Sequence, residues 1–201
     1  MPTRLLIATS NPHKVQEIAE ILGSSDVQIE GLDGCEGVTM PEETGSTFLE
    51  NARIKARSVA EQTGRTALAD DSGICIDALA GEPGVRSNRF LGEQATAEER
   101  NNAILSLLAG RPPEERGARF VCAACIAFPS GETVEALETC SGVIARRPSG
   151  GGGFGYDPIF YFPEYNCTLA EVSSELKNNV SHRGKAVRRV VQLLKERSRG
   201  C

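Results

Sequence analysis

The chain has no basic run longer than a pair of arginines, only two histidines, and no apolar stretch of membrane-spanning length. Each shortage excludes something. At a formal charge of −5 and without a basic stripe, the chain is a poor general binder of nucleic acid, because affinity for a polymer rests on many neutralised phosphates. A polyanionic ligand would have to be small, held by a few placed cations and a metal ion. His13 and His182 alone give no support to a phosphohistidine intermediate. The run Met1 to Ala8 is too short in apolar residues for a signal peptide or a span, so a cytoplasmic location is expected and a membrane is not.

Without an export signal, the seven cysteines read as reduced thiols rather than a disulfide framework. Cys122-Ala-Ala-Cys125 has the spacing of a redox or zinc motif, but it sits in an apolar run from Arg119 to Phe128 that predicts a strand. Residues three apart on a strand face opposite ways. No second Cys/His pair stands at ligand spacing, so buried strand cysteines are expected. Cys201 reads as an exposed tail thiol.

What is present is ordinary for a globular protein: 201 residues, 40% hydrophobic and 24% charged. That length suits one large domain or two small lobes sharing a core, and a single domain over 1–201 is expected. Arg4 to Thr9 predicts a buried strand, followed by a helix capped at Asn11 with Pro12 in its first turn and Gly23 at its end. A second helix starts with a capping box at Thr47 and runs to about Gln62, with Gly64 beyond. Thr66 to Ala69 and Ile74 to Leu79, two apolar runs around Asp70-Asp71-Ser72-Gly73, predict a hairpin or a tight bend. A third helix has a capping box at Thr96 and stops at Gly110. Arg119 to Phe128 and Thr133 to Ile144 predict an antiparallel pair, and the last helix begins near Ser181 to Gly184. Strands and helices intermix without regular βαβ alternation, which predicts an α/β fold with a mixed sheet and flanking helices.

Four segments carry chemistry. At Thr9-Ser10-Asn11-Pro12-His13-Lys14 a strand runs into a helix head, whose unpaired N–H groups, dipole and lysine would form an anion cradle. It is no Walker loop, since the glycine and lysine pattern is absent. Asp70-Asp71 and Glu42-Glu43 are adjacent carboxylates, costly by repulsion unless a cation is present. They match Mg²⁺, which takes one or two protein carboxylates plus phosphate oxygens, and Lys55 could clamp phosphate beside them. In Gly150 to Pro158, four glycines permit close backbone approach, Phe154 and Tyr156 offer faces for stacking a base, and Asp157 can accept from a ring N–H or sugar hydroxyl. Lys177 and Ser181-His182-Arg183-Gly184-Lys185 put cations at a helix head, where the dipole disfavours them unless an anion compensates. Taken singly, a helix cap, a polar turn, a surface loop and a solvated basic face explain the four.

Together, and in this order, the segments resemble the inosine triphosphate pyrophosphatase (Ham1, or dITP/XTP pyrophosphatase) family over nearly the whole chain. The carrying residues are Thr9 to Lys14; Glu42 to Lys55, read Glu-Glu-Thr-Gly-x-Thr-Phe-x-Glu-Asn-Ala-x-x-Lys; Ala69 to Gly73; Phe154 to Pro158; and Ser181 to Gly184. Ser10 stands where many relatives have Gly, and Gly151 where many have Thr. Neither change removes a charged or aromatic group. The resemblance implies an elongated mixed sheet flanked by helices, two lobes around a central cleft, and a homodimer. It implies hydrolysis of inosine, deoxyinosine or xanthosine triphosphate to the monophosphate and pyrophosphate. It also implies roles: Asp71 as general base, with Asp71, Asp70 and Glu43 holding Mg²⁺; Thr9 to Lys14, Lys55 and Ser72 on the triphosphate; and Phe154, Gly155, Tyr156, Asp157, Lys177, His182 and Arg183 on base and sugar. Arg183, a donor only, would welcome a 6-keto oxygen and reject adenine. A Maf-type pyrophosphatase and a non-catalytic nucleotide sensor are the competing readings. The Phe-Gly-Tyr-Asp and Ser-His-Arg segments disfavour the first, and Asp70-Asp71 with Lys55 the second.

Overall fold

The computed structural model describes residues 3–23 and 26–199; Met1, Pro2 and the tail thiol Cys201 lie outside the described residues. Seven strands form one sheet in the order β2-β1-β3-β4-β5-β6-β7. They are β1 (Thr3–Ile7), β2 (Val27–Glu30), β3 (Ala67–Ile76), β4 (Gly117–Ala127), β5 (Thr133–Ile144), β6 (Phe160–Phe162) and β7 (Cys167–Thr168). β1 runs parallel to β2 and to β3, whereas β6 is antiparallel to both β5 and β7. The sheet is mixed and accompanied by helices, as the pattern predicts. The helices are α1 (Pro12–Leu22), α2 (Phe48–Thr63), α3 (Ala97–Leu107), α4 (Ser174–Val180) and α5 (His182–Arg199).

The chain divides into two compact units. One comprises residues 1–71, 122–138 and 182–201, and the other residues 72–121 and 139–181. In the first unit the strand period of two sorts side chains cleanly. Leu5, Ile7, Leu68, Cys122, Ala124 and Ile126 face α1 and α5, packing on Ile18, Leu22, Val187, Val190 and Leu194. Leu6, Ala8, Ala67, Ala69, Ala123, Cys125 and Ala127 face α2, packing on Ala52, Ala56, Val59 and Ala60. The alanine-rich face lets α2 lie close to the sheet. Cys122 and Cys125 therefore sit on opposite faces, both buried and unbonded, as expected of strand cysteines.

Helix ends follow local chemistry. Asn11 caps α1, Thr47 and Thr96 form capping boxes on α2 and α3, and Gly64 closes α2 in the left-handed conformation. One expectation is overturned. Residues 66–79 do not form a hairpin: β3 runs unbroken from Ala67 to Ile76 through the two aspartates. An acidic pair can stay on a buried strand when cations meet each carboxylate, which is what happens here.

The second unit has its own core, in which Ile74, Ile76, Ile104, Leu108, Phe120, Ile144, Tyr156, Phe160 and Leu169 pack together. Arg116, 4% exposed, is buried in the same unit. Its guanidinium donates to the carbonyls of Leu108, Ile144 and Ala145, each at 2.7 Å. Burial and the nearby Arg146 pull its pKa below the usual value. Removing those donors strands three carbonyls, at about 1–3 kcal/mol for each that water cannot reach. Arg116→Met should lower unfolding free energy by about 2–4 kcal/mol in urea titration. A loss within about 0.5 kcal/mol would contradict the assignment.

Candidate active site

The alternation along β3 decides where its aspartates point. Leu68 faces α1 and α5, so Asp70, two residues on, faces them too; Ala69 faces α2, so Asp71 does the same. The contacts agree. Asp71 meets Lys55 and Asn51 of α2, while Asp70 meets Lys14 of α1 and Arg183 of α5.

On the α2 side, Lys55 is the hub. Its Nζ lies 2.7 Å from Glu43 Oε1 and 3.1 Å from Asp71 Oδ1, with the lysine and aspartate almost fully buried. Asn51, fully buried, donates from Nδ2 to Asp71 Oδ2 at 3.2 Å and accepts from Gly45 N at 2.8 Å. A Cβ on Gly45 would lie 2.6 Å from Asn51 Oδ1, so the strap carrying Glu43 needs glycine there. Burial raises the Asp71 pKa above its ordinary 3.8; Lys55 opposes that rise and Glu43 adds to it. Burial alone would lower Lys55, but Asp71, Asp70 and Glu43 overcome it and hold the ammonium charged. A carboxyl poised upward beside a fixed cation is what a general base near neutral pH requires.

On the other face Asp70, 1% exposed, sits 2.9 Å from Lys14 Nζ and 3.2 Å from two nitrogens of Arg183. Arg183 also donates to Glu17 from Nη1, and the Cys122 thiol lies 3.9 Å from Asp70 Oδ2. Burial would raise the Asp70 pKa, but Lys14, Arg183 and Lys55 outweigh it and drive it far below the carboxylate range. Its cations favour the charged form of Asp70, whereas burial pushes Asp71 toward the protonated form. The two adjacent aspartates are different groups.

Three sequence expectations change in this light. The set Asp70, Asp71 and Glu43 is not gathered around one point: among the described residues no three His, Cys, Asp or Glu side chains are grouped to hold a metal ion. The head of α1 does not present open donors, since Asn11 Oδ1 accepts from His13 N and Lys14 N at 3.0 and 3.4 Å, and Thr9 Oγ1 from Asn11 N at 3.2 Å. Ser10, Pro12 and His13 are exposed there, while Lys14 turns inward to Asp70. The anions that offset the basic head of α5 are the protein's own Asp70 and Glu17. Glu17 carries no sequence expectation, and Asn51 only its place in the Glu-Asn-Ala stretch before Lys55. The signal for Glu17 is its place one turn after Lys14, and for Asn51 its place among the alanines of the buried α2 face.

The second unit gathers a separate group. Ser72, half-buried, continues β3. Lys177 Nζ lies 2.5 Å from Asp157 Oδ2 and 4.8 Å from the centre of the Phe154 ring, with Lys177 and Asp157 buried. Asp157 Oδ2 also accepts from Phe154 N at 2.8 Å. The glycine run is shaped by these contacts: a Cβ on Gly153 would fall 2.1 Å from that oxygen, and one on Gly150 2.5 Å from the Ala170 backbone. Close approach is therefore made to the protein itself. Tyr156 is a core residue, its hydroxyl donating to Ser87 O at 2.8 Å, rather than an open stacking face. Phe154 and Gly155 remain half-buried, and His182, at the head of α5 in the first unit, is buried.

The first unit holds a buried lysine between two carboxylates, and the second an aromatic loop with its own buried lysine. The chain belongs to the Ham1 family, whose model matches residues 5–193. It is 49% identical over 191 residues to a dITP/XTP pyrophosphatase of Desulforamulus reducens, covering 95% of each chain. A protein of the same name from Geobacillus kaustophilus is 44% identical, with 91% of this chain and 90% of the relative covered. Among solved structures, a HAM1 protein from Coxiella burnetii superposes with a TM-score of 0.87 at 40% identity, covering 96% of this chain and 99% of that one. The Staphylococcus aureus Ham1 protein gives 0.85 at 37% identity, covering 97% and 100%.

Asp70→Asn should destabilise the protein by roughly 3–5 kcal/mol in urea unfolding at pH 7, since it leaves Lys14 and Arg183 buried without their anion. Asp71→Asn should cost about 1 kcal/mol or less, because burial already disfavours its charge and Lys55 keeps Glu43. Equal losses would refute the division of roles. Asp70's folded pKa lies below its unfolded one, so its contribution is full above the unfolded value and fades as pH falls through the folded value.

Proposed function

We propose that this chain hydrolyses non-canonical purine nucleoside triphosphates, those of inosine, deoxyinosine and xanthosine, to the monophosphate and pyrophosphate. Such an activity removes deaminated purines from the nucleotide pool. The observation that carries the mechanism is the Lys55 hub, which brings Asp71 and Glu43 to one cation position.

Asp71 is the general base. It accepts a proton from water as the water oxygen bonds to the α-phosphorus. The bond from that phosphorus to the bridging oxygen then breaks, and pyrophosphate leaves. Lys55 keeps Asp71 oriented and places positive charge beside the forming anion; Asn51 holds the second carboxylate oxygen. Little covalent help is needed, because phosphoryl chemistry of this kind runs on positioning and charge neutralisation.

The donor set fits Mg²⁺. Asp71 and Glu43 are hard oxygen ligands from separate elements, already flanking one positive charge, and the remaining positions fall to phosphate and water. When bound there, the ion supplies charge neutralisation for the triphosphate. Asp70 stands on the other face of β3 and is assigned instead to fixing Lys14 and Arg183. Arg183, with three nitrogens engaged by Asp70 and Glu17, is assigned to that anchor rather than to a 6-keto oxygen.

Thr9 to Lys14 and Ser72 are assigned to phosphate. Phe154, Gly155, Asp157, Lys177 and His182 are assigned to base and sugar, with Tyr156 fastening their loop. The reading extends to residues 1–201 acting as one pyrophosphatase domain, to a homodimer, and to the cytoplasm. No helix among the described residues is long and apolar enough to cross a membrane.

With Mg²⁺, pyrophosphate release from inosine and xanthosine triphosphates should exceed that from adenosine triphosphate by about 10²-fold or more in kcat/KM. Comparable rates on all three would refute the substrate assignment. Asp71→Asn should lower kcat by about 10²–10⁴-fold while leaving the fold intact by circular dichroism. Chelation should abolish turnover and added Mg²⁺ restore it; activity that survives a chelator would remove the metal from the account.

A further inference from the structure

Asn51 is a polar residue where α2 otherwise packs small apolar ones. It is fully buried, next to Ala52 on the helix whose Ala56, Val59 and Ala60 also meet the sheet. A buried amide is costly unless both its ends are bonded, and an alanine there would carry no such demand. Both ends are bonded. Oδ1 accepts from Gly45 N at 2.8 Å, and Nδ2 donates to Asp71 Oδ2 at 3.2 Å. A backbone N–H only donates, so Gly45 decides which way round the amide stands: Oδ1 must face the strap, and Nδ2 is left for the aspartate.

The same arrangement recurs one helical turn on. Lys55, four residues after Asn51, holds Asp71 Oδ1 and is itself held by Glu43, two residues before Gly45. Each oxygen of Asp71 is therefore bonded to an α2 side chain that is in turn bonded to the strap. We propose that Asn51 is a positioning residue that couples the strap to the general base, so that Asp71 keeps its donor on Oδ2 only while the strap is seated. The inference rests on the role of Asp71 proposed above. Bonds at both oxygens fix the plane of the carboxyl and leave its other lone pairs for water. With the strap lifted, the amide is free to turn and set Oδ1 against the carboxylate, two acceptors facing each other in dry surroundings. Asn51 acts through Asp71, so its loss falls on the chemical step and not on binding.

Two readouts on the full chain test this. The first is kcat and KM for inosine triphosphate with Mg²⁺ in wild type, Asn51→Leu and Asn51→Ala, each with a thermal melt. Leu keeps the volume without the amide, and Ala opens the space to water. In each folded variant kcat should fall about tenfold or more, with KM within about threefold of wild type. A residue that only packs α2 on the sheet would lower the melting temperature and spare kcat; that result, or a loss carried by KM alone, overturns the proposal. The second readout is hydrogen exchange at the Gly45 amide in metal-free protein. The Ala8 amide, bonded to Leu68 O at 2.8 Å, serves as the reference for global opening. Relative to Ala8, Gly45 should exchange about tenfold faster in Asn51→Ala and also in Asp71→Ala, where strap and amide are both untouched. Exchange that answers the first change and not the second means two independent bonds, and overturns the coupling. If neither Asn51 variant folds, the Asp71→Ala comparison decides. Wild type that releases no pyrophosphate from inosine triphosphate would sink the substrate class instead, and the exchange readout would still judge the coupling.

Discussion

Neighbouring residues on a β-strand face opposite ways, and the candidate site is built on that constraint. Asp70 and Asp71 are adjacent in β3 and both almost completely buried, yet they live in different surroundings because the strand turns one toward α1 and α5 and the other toward α2. Two cations converge on Asp70, so its charge is fixed and its work is to hold Lys14 and Arg183. Asp71 shares a single ammonium with Glu43, and burial leaves it able to take a proton. A turn between two strands, which the residue pattern first suggests, would have exposed both carboxylates to water and made them equivalent.

The packing serves the same division. Helix α2 lies on a sheet face of Leu6, alanines and one cysteine, and that mostly small-residue surface brings Lys55 and Asn51 within hydrogen-bonding range of the strand. The opposite face carries larger side chains, and Lys14 and Arg183 extend from α1 and α5 to Asp70. Glu17 ties Arg183 back to α1, so the anchor is a chain of alternating charges. Buried ion pairs of this sort cost much to desolvate. Their value here lies in holding one carboxylate charged while burial shifts its neighbour the other way.

Much of this was legible in the residues. Both capping boxes, the Asn11 cap, the Gly64 stop and the β4–β5 hairpin are local signals, and each appears where the sequence puts it. The residue pattern points to Lys55 beside Glu43 and Asp71 but sets Asp70 in the same group, and β3 turns Asp70 to the other face. The rest depended on tertiary contacts that no window of sequence displays. Continuity of β3 through two aspartates requires knowing that Lys14 and Arg183 arrive from far along the chain. The strands at 27–30, 160–162 and 167–168 and the helix at 174–180 are too short for a periodic signal. The residue pattern presents Tyr156 as a stacking face and the glycine run as a ligand's seat, whereas Ser87 and the apolar core hold the first and Asp157 and Ala170 fill the spaces of the second.

The most direct test is a carbon-detected NMR titration of the aspartate carboxyls in metal-free protein. Asp71 should titrate above its ordinary 3.8, and Asp70 should hold its charge down to the acid limit of the folded state. Two aspartates titrating together near the usual value would contradict the split that β3 imposes.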